Sequence, residues 1–122
     1  MSETKISEET HLPYKSGKII LTIDGELVFL DVFDIIRLQT DGACTVFFTK
    51  DKNTYTVNLS LDECVQLLES YSFFRAHEYH LINTNHISKY IKGKRRHFIM
   101  SDDSTVDISL PKSEEFLKTL DI

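Results

Sequence analysis

The feature that most constrains the fold is a series of short runs of β-branched, aromatic and aliphatic residues separated by turn signals. Asp-Gly pairs at 24–25 and 41–42 favour tight hairpin turns, because these residue types tolerate the positive φ that such turns need. The runs occupy residues 19–23, 27–30, 35–39, 45–49, 55–57, 73–76, 81–83, 87–91, 97–100 and 105–108. This pattern predicts a mainly β domain of about ten short strands.

Two helices are expected among these strands. Residues 60–63, Ser-Leu-Asp-Glu, have the form of a capping box, and the apolar residues behind them repeat at helical spacing. We expect this central helix to end near Ser70 or Tyr71. Pro111 suits the first turn of a C-terminal helix, in which Glu114 and Glu115 lie near the positive end of the helix dipole.

Length and composition favour one domain. The chain of 122 residues has the size of a single domain. Residues 1–17 are polar and lack hydrophobic periodicity, so we expect a flexible arm at 1–17 and the folded domain at 18–122. No apolar run approaches the roughly 18 residues of a membrane span, and the N-terminus has no apolar signal region. We therefore expect a cytoplasmic protein that makes no contact with a membrane.

Charge is distributed unevenly along the chain. Residues 71–100 hold six basic side chains and one acidic one, a charge of +5, whereas the whole chain carries −5 and the remainder therefore −10. A basic, aromatic segment inside an acidic protein indicates a localised surface that faces anions, and polyphosphate is one partner for it. Within the segment, residues 92–96 are either a solvated hairpin turn around Gly93 or a phosphate-binding loop.

Enzymatic and metal-binding functions find little support. The sequence has no nucleophile elbow, no phosphate loop and no pair of carboxylates in a pocket pattern, so we expect neither catalysis nor a cofactor. His77, His80 and His86 could in principle form a zinc site with a cysteine. Their spacing, however, would place His77 and His80 on opposite faces of a flat strand. Cys44 and Cys64 are too few for a disulfide framework.

Two residues of the basic segment have more than one interpretation. His77 is better explained as a half-buried residue that orients the loop before Asn83 than as a metal ligand. Arg75 alternates with His77 and therefore shares its face of the strand. On that face, Arg75 can pair with a carboxylate or with a phosphate.

Several motifs follow one another in the order of one protein family. They are Phe-Phe-Arg-Ala-His at 73–77, Ile-Asn at 82–83, His-Ile-Ser-Lys-Tyr-Ile at 86–91, Val-Asp-Ile-Ser at 106–109 and Asp-Ile-Ile at 34–36. In this order and spacing the chain resembles, over residues 18–120, the LytTR DNA-binding domain that ends many bacterial response regulators. The resemblance implies an elongated β domain that acts in transcription regulation.

The resemblance also implies how DNA would be bound. Loops of the β scaffold would enter successive major grooves of double-stranded DNA, and the family usually binds direct repeats as a dimer. Phosphate contacts would come from Lys92, Lys94, Arg95, Arg96 and Lys112, with Arg75 as a further candidate. Base reading would come from Thr45, Glu78, His80 and the residues beside Ser109.

The chain departs from the family pattern at the positions that read DNA. Glu78 stands where the family has a polar or basic residue, Tyr79 where it has serine, and Leu110 where it has arginine. These departures and the net charge favour an alternative, a diverged LytTR-like domain that acts through protein contacts or dimerisation without reading DNA. The basic segment and the intact Arg75 and His77 favour DNA binding, which is the interpretation we adopt.

The length of the chain bears on how it could be controlled. It leaves no room for a receiver domain of about 120 residues beside the LytTR-like domain. The Met1-Ser2 start is typical of a complete protein. In a complete protein of this size, a signal would arrive by a route other than phosphorylation within the same chain. If the chain is instead cut from a longer regulator, a two-component role is expected.

Overall fold

The structure, a computed structural model, describes residues 13–14 and 17–120. Within them it has eleven strands and two α-helices, which confirms the predicted mainly β fold class. The strands are β1 (Pro13–Tyr14), β2 (Lys18–Ile23), β3 (Glu26–Asp31), β4 (Ile35–Asp41), β5 (Cys44–Thr49), β6 (Thr54–Val57), β7 (Phe73–His77), β8 (His80–Asn83), β9 (Ile87–Ile91), β10 (His97–Met100) and β11 (Thr105–Asp107). The helices are α1 (Leu61–Leu67) and α2 (Leu110–Thr119). Most of the arm predicted at 1–17 lies outside the described residues.

The strands form three antiparallel sheets. Two have three strands, in the orders β1-β2-β3 and β11-β10-β9, and the third has five, in the order β6-β5-β4-β8-β7. The first Asp-Gly pair forms the expected tight turn, with φ of 50° at Asp24 and 79° at Gly25. At the second pair, Asp41 still belongs to its strand, and Gly42 and Ala43 form the turn. The predicted turn residues therefore join β2 to β3 and β4 to β5.

The five-stranded sheet carries a hydrophobic core on each of its faces. The first core joins Leu38, Phe47 and Leu81 of this sheet to residues of β2, β3 and α1. The second core joins Ile36 and Ile82 to residues of β10, β11 and α2. Successive residues of a strand point to opposite faces, so the neighbours Leu81 and Ile82 belong to different cores. The five-stranded sheet is thus the middle layer, covered on both sides.

The central helix α1 is shorter than predicted. Ser60 forms the predicted capping box, since its N–H donates to Glu63 Oε1 over 2.8 Å and its hydroxyl accepts from the Glu63 N–H over 3.1 Å. The helix ends at Leu67, earlier than the predicted end, because the chain turns there towards β7. The Tyr71 N–H donates to the carbonyl of buried Leu68 over 2.9 Å and closes this turn. Neither helix of the described part is long and apolar enough to cross a membrane.

Two turns lie at the same end of the five-stranded sheet. Strands β4 and β8 are antiparallel, with Gln39 opposite His80, so the β4–β5 turn and the β7–β8 turn project from one end. The Thr40 N–H donates to the Tyr79 carbonyl over 3.0 Å and links the two turns. We call this the turn end of the sheet, and it carries several of the predicted contact residues.

Candidate nucleic-acid interface

The turn between β7 and β8 consists of Glu78 and Tyr79, and we call it the hairpin turn. Both residues are exposed. Arg75 holds the turn in place: Nη1 donates to Asp62 Oδ1 in the first turn of α1 over 2.5 Å, and Nη2 donates to the Glu78 carbonyl over 2.7 Å. The sequence left a carboxylate or a phosphate as the partner of Arg75, and in the structure the partner is the carboxylate of Asp62. Arg75 therefore positions the hairpin turn against α1.

Two histidines hold the hairpin turn from its other side. The pairing register of β7 shifts between Arg75 and His77, so the prediction that they share a face of the strand is wrong. His77 Nδ1 accepts a hydrogen bond from the Tyr79 N–H over 3.1 Å, which assigns the proton of the neutral ring to Nε2. This N–H donates to His80 Nδ1 over 3.0 Å, and His80 Nε2 then donates to Gln39 Oε1 over 3.2 Å. His77 is half-buried and orients the loop before Asn83, as predicted.

The spacing argument that separated His77 from His80 was wrong. It treated both residues as members of one flat strand, whereas they lie on β7 and β8 and face each other in the hairpin register. Their ring centroids are 4.9 Å apart. Even so, no group of three or more His, Cys, Asp or Glu residues in the described part of the chain is placed to hold a metal ion.

His80 is uncharged near neutral pH. Partial burial, together with the nearby Arg37 and His77, lowers the pKa of its imidazole to about 4, while Asp107 opposes the shift. Both ring nitrogens already have partners in the network around Gln39. In this structure the ring supports the hairpin turn, and base reading by His80 stays a prediction.

The prediction that Thr45 reads a base is corrected. Thr45 has no exposed surface, and its hydroxyl donates to the Leu59 carbonyl over 2.8 Å. The reason is the alternation of β5, which places Thr45 on the same face as the buried Phe47. The exposed residues at the tip of the β4–β5 turn are Asp41, Gly42 and Ala43.

Two contributors to the site, Arg37 and Gln39, were missed at the level of the sequence. Arg37 Nη1 donates to Gln39 Oε1 over 2.9 Å, and its guanidinium lies 3.8 Å from the centroid of the Phe48 ring. Burial lowers the pKa of Arg37, although Asp102 opposes this. The sequence feature that could have identified them is the alternation of β4, in which Arg37 and Gln39 share the face opposite buried Leu38.

The loop between β9 and β10, residues 92–96, is the basic loop. Its four cations are Lys92, Lys94, Arg95 and Arg96. Arg95 Nη2 lies 3.1 Å from Asp107 Oδ2, with 80% and 52% of the two side chains exposed, so this ion pair contributes at most about 1 kcal/mol to folding. Among the partners that the structure describes, the other three cations form no ion pair. Their charge is available to an external anion.

Contacts through β11 place the basic loop beside the hairpin turn. The Ile108 N–H donates to the Arg96 carbonyl over 3.1 Å, so the junction of β11 and α2 runs along the loop. Asp107 also binds Arg95, and Val106 and Ile108 on either side of it pack in the second core with Ala76 of β7. The basic loop, the β11–α2 junction and the hairpin turn are therefore neighbours.

Lys112 lies in the first turn of α2, near the same junction. Its Nζ is 3.6 Å from Glu115 Oε1 and 5.8 Å from the centroid of the Phe74 ring on β7. The Lys112 N–H is capped by the Ser109 hydroxyl over 3.4 Å. Lys112 thus lies beside Phe74 of β7, and its role as a phosphate contact stays a prediction.

The cysteines take no part in this arrangement. Cys64 is fully buried in the first core, and burial raises the pKa of its thiol to about 12. A thiol that stays protonated is a small apolar residue rather than a nucleophile or a metal ligand. Cys64 is therefore a core residue.

Comparisons with known proteins agree on one family. A family model described as the LytTr DNA-binding domain matches residues 25–121. The curated relatives include two heme-containing CO-sensing transcriptional regulators, RcoM 1 and RcoM 2 of Paraburkholderia xenovorans. Each is 28% identical over 102 residues, which are 83% of this chain and 38% of the relative. The chain therefore spans well under half the length of these relatives.

A solved structure shows the same fold. It is a LytTr DNA-binding domain from Bacillus cereus, and it superposes with a TM-score of 0.72 at 22% sequence identity. The match covers 88% of this chain and 99% of that one. The three-sheet arrangement around the five-stranded layer is thus an established protein fold.

Proposed function

This chain belongs to the LytTR family of DNA-binding domains, and we propose that it is the part of a transcription regulator that binds a specific sequence of double-stranded DNA. Its curated relatives are named transcriptional regulators, which supports this role. By resemblance to the family, we further propose binding as a homodimer on direct repeats. Under this proposal, the turn end of the five-stranded sheet faces the DNA.

One observation carries the proposal: the cations predicted to bind phosphate are neighbours of the exposed hairpin turn. The basic loop lies along the β11–α2 junction, and Lys112 is in the first turn of α2, three residues after the capping residue Ser109. Cations that contact phosphates give affinity that falls with salt, because each contact releases a condensed counterion. Such contacts fix orientation and leave sequence choice to other residues.

Sequence choice would fall to the hairpin turn. A carboxylate such as Glu78 is repelled by phosphates, but at the floor of the major groove it can accept a hydrogen bond from the N4 amine of cytosine. The turn that carries it is held by Arg75 on one side and His77 on the other. A rigid turn loses little conformational freedom on binding, which favours a tight and selective contact.

The test is a selection from a pool of random duplexes with the purified chain at about 100 mM salt, followed by a salt titration of the enriched site. We expect enrichment of one motif, present twice in the same orientation if the protein binds as a dimer. Affinity for that motif should fall steeply as salt rises. A folded protein that enriches no motif at any salt concentration would refute DNA reading and leave protein contacts as the function of this domain.

A further inference from the structure

Three large apolar side chains, one in the hairpin turn and two near the ends of the basic loop and the β11–α2 junction, are open to solvent. They are Tyr79 in the hairpin turn with 54% of its surface exposed, Ile91 at the end of β9 with 36%, and Leu110 at the start of α2 with 50%. Ile91 directly precedes the basic loop. Leu110 lies two residues after Ile108, whose N–H donates to the Arg96 carbonyl of the loop. We call these three side chains the apolar rim, and since they cannot bind phosphate they are available to contact another feature of a ligand.

The backbone under two of these side chains is fixed. The Tyr79 N–H donates to His77 Nδ1 over 3.1 Å, and the Tyr79 carbonyl accepts from the Thr40 N–H over 3.0 Å. Leu110 is the first residue of α2, after the capping residue Ser109, and its carbonyl accepts from the Ser113 hydroxyl over 2.7 Å. Tyr79 and Leu110 are therefore presented to solvent from rigid positions, as side chains that recognise a ligand usually are.

We propose that Leu110 and Tyr79 determine sequence preference by packing against the C5-methyl groups of thymine. This inference rests on the proposed function, because it requires that the turn end faces DNA. The thymine methyl is the one apolar group that the base edges present in the major groove, and apolar side chains recognise it by contact. Leucine has no hydrogen-bonding group, so Leu110 cannot read any other feature of a base edge.

Contacts to phosphates and contacts to thymine methyl groups have different consequences for the sequence of the DNA site. The basic loop binds phosphates of any sequence, whereas Leu110 and Tyr79 favour sites that place thymine opposite them. Burial of one methyl group corresponds to a factor of about four in affinity. The enriched duplex should accordingly contain at least one thymine whose methyl group contributes a factor of this size.

The experiment replaces each thymine of the selected site, one at a time, by deoxyuridine, which lacks only the C5-methyl group. Fluorescence anisotropy then measures the Kd of each duplex for the unchanged protein and for Leu110→Ala and Tyr79→Ala. Leu27→Ala is the matched control, because Leu27 is a leucine of similar exposure (54%) in a different sheet. Circular dichroism establishes that each variant is folded.

We expect one or two deoxyuridine positions to weaken binding of the unchanged protein about fourfold. Leu110→Ala or Tyr79→Ala should remove the effect at one of these positions, and Leu27→Ala should keep it. If the selected site binds but tolerates deoxyuridine at every position, thymine recognition is refuted and DNA binding stands. If deoxyuridine weakens binding equally in all variants, other residues read the methyl groups. If no duplex binds, both proposals fall, and the apolar rim is then an interface for protein.

Discussion

The hairpin turn and the basic loop are neighbours, yet their polar groups are used in opposite ways. Around the hairpin turn, Arg75, His77 and His80 bind the backbone, a carboxylate and one another. In the basic loop, the side chains of Lys92 and Lys94 are exposed and have no ion-pair partner within the described residues. One region uses its charges to fix geometry, and the other leaves them open to solvent.

The difference indicates a division of labour. Charges that are already paired inside the protein cannot pair with phosphate without breaking an internal bond, so the hairpin region adds little electrostatic affinity. Unpaired, exposed cations bind phosphate readily but without fixed geometry, so the basic loop adds little selectivity. Changes in the basic loop should therefore affect affinity, and changes around the hairpin turn should affect stability and choice of sequence.

The largest effect is expected from Lys92→Ala combined with Lys94→Ala, the two exposed cations of the basic loop that have no ion-pair partner within the described residues. Loss of two phosphate contacts should weaken binding on the order of 10- to 100-fold at low salt, and equally for all sequences. The slope of log Kd against log salt should fall by about 2. Filter-binding titrations at several salt concentrations measure both quantities.

The matched control for the basic loop is Lys50→Ala with Lys52→Ala, which removes two exposed lysines from the β5–β6 turn. That turn follows Thr49, which pairs with Ile35 at the end of the sheet away from the hairpin turn. Affinity and slope should change little in this variant. An equal loss in both double variants would show that net charge, rather than the basic loop, controls binding.

The second prediction concerns Arg75→Ala, which should destabilise the fold by about 2 kcal/mol. The reason is the loss of hydrogen bonds from a charged, largely buried guanidinium to the Glu78 carbonyl and to Asp62. Urea denaturation measures the free energy of unfolding. Asp62→Ala should cost much less, about 0.5 kcal/mol, because the Asp62 side chain is 81% exposed. Equal costs for the two variants would contradict the role of Arg75 in holding the hairpin turn.

The third prediction is a dependence of stability on pH through His80. The pKa of His80 is about 4 in the folded protein, against an ordinary value of 6.5. Between these values the unfolded chain binds a proton that the folded one does not, so stability is full above pH 6.5 and falls as pH drops towards 4. Because His80 is only partly buried, we expect a loss of about 1 kcal/mol between pH 7 and pH 5.

The measurement is urea unfolding at both pH values, for the unchanged protein and for His80→Gln. The variant should lose this part of the pH dependence. His97→Gln is the control, since His97 lies on β10 and bonds to the Arg95 carbonyl outside the hairpin network. The same loss of stability in His80→Gln as in the unchanged protein would assign the pH dependence to another group.

The smallest effect is expected from Glu78→Gln. Removal of one exposed negative charge next to the basic loop should tighten non-specific binding a few-fold, because phosphate repulsion is reduced. If Glu78 accepts from cytosine, the preferred base at one position should change as well. A repeat of the duplex selection with this variant measures both outcomes, and an unchanged motif with unchanged affinity would place Glu78 away from the DNA.

Much of the fold follows from local signals. The Asp-Gly pair at 24–25 and the capping box at 60–63 each depend on residues that are close in sequence, and both are present in the structure. The end of α1 could not be predicted in the same way. Apolar periodicity continues through Leu68, but the chain leaves the helix there in order to enter β7.

The candidate site was predictable where exposure follows from sequence and unpredictable where it depends on packing. The basic loop is charged and surrounds a glycine, so its exposure is expected from composition alone. Thr45 was misjudged because its face of β5 is determined by which residues of the sheet meet the first core. Arg37 was missed because its aromatic contact, Phe48, lies on β5, and the register that places the two residues side by side is not visible in the sequence.

The sequence by itself determined the order of strands and helices, the position of the hairpins and the presence of a basic loop in an acidic chain. These properties come from residues a few positions apart, whose propensities act before any long-range contact forms. Only the tertiary structure decided which polar side chains bind one another and which remain free for a ligand. That distinction depends on strand register, because a shift of one residue turns a side chain from one face of a sheet to the other.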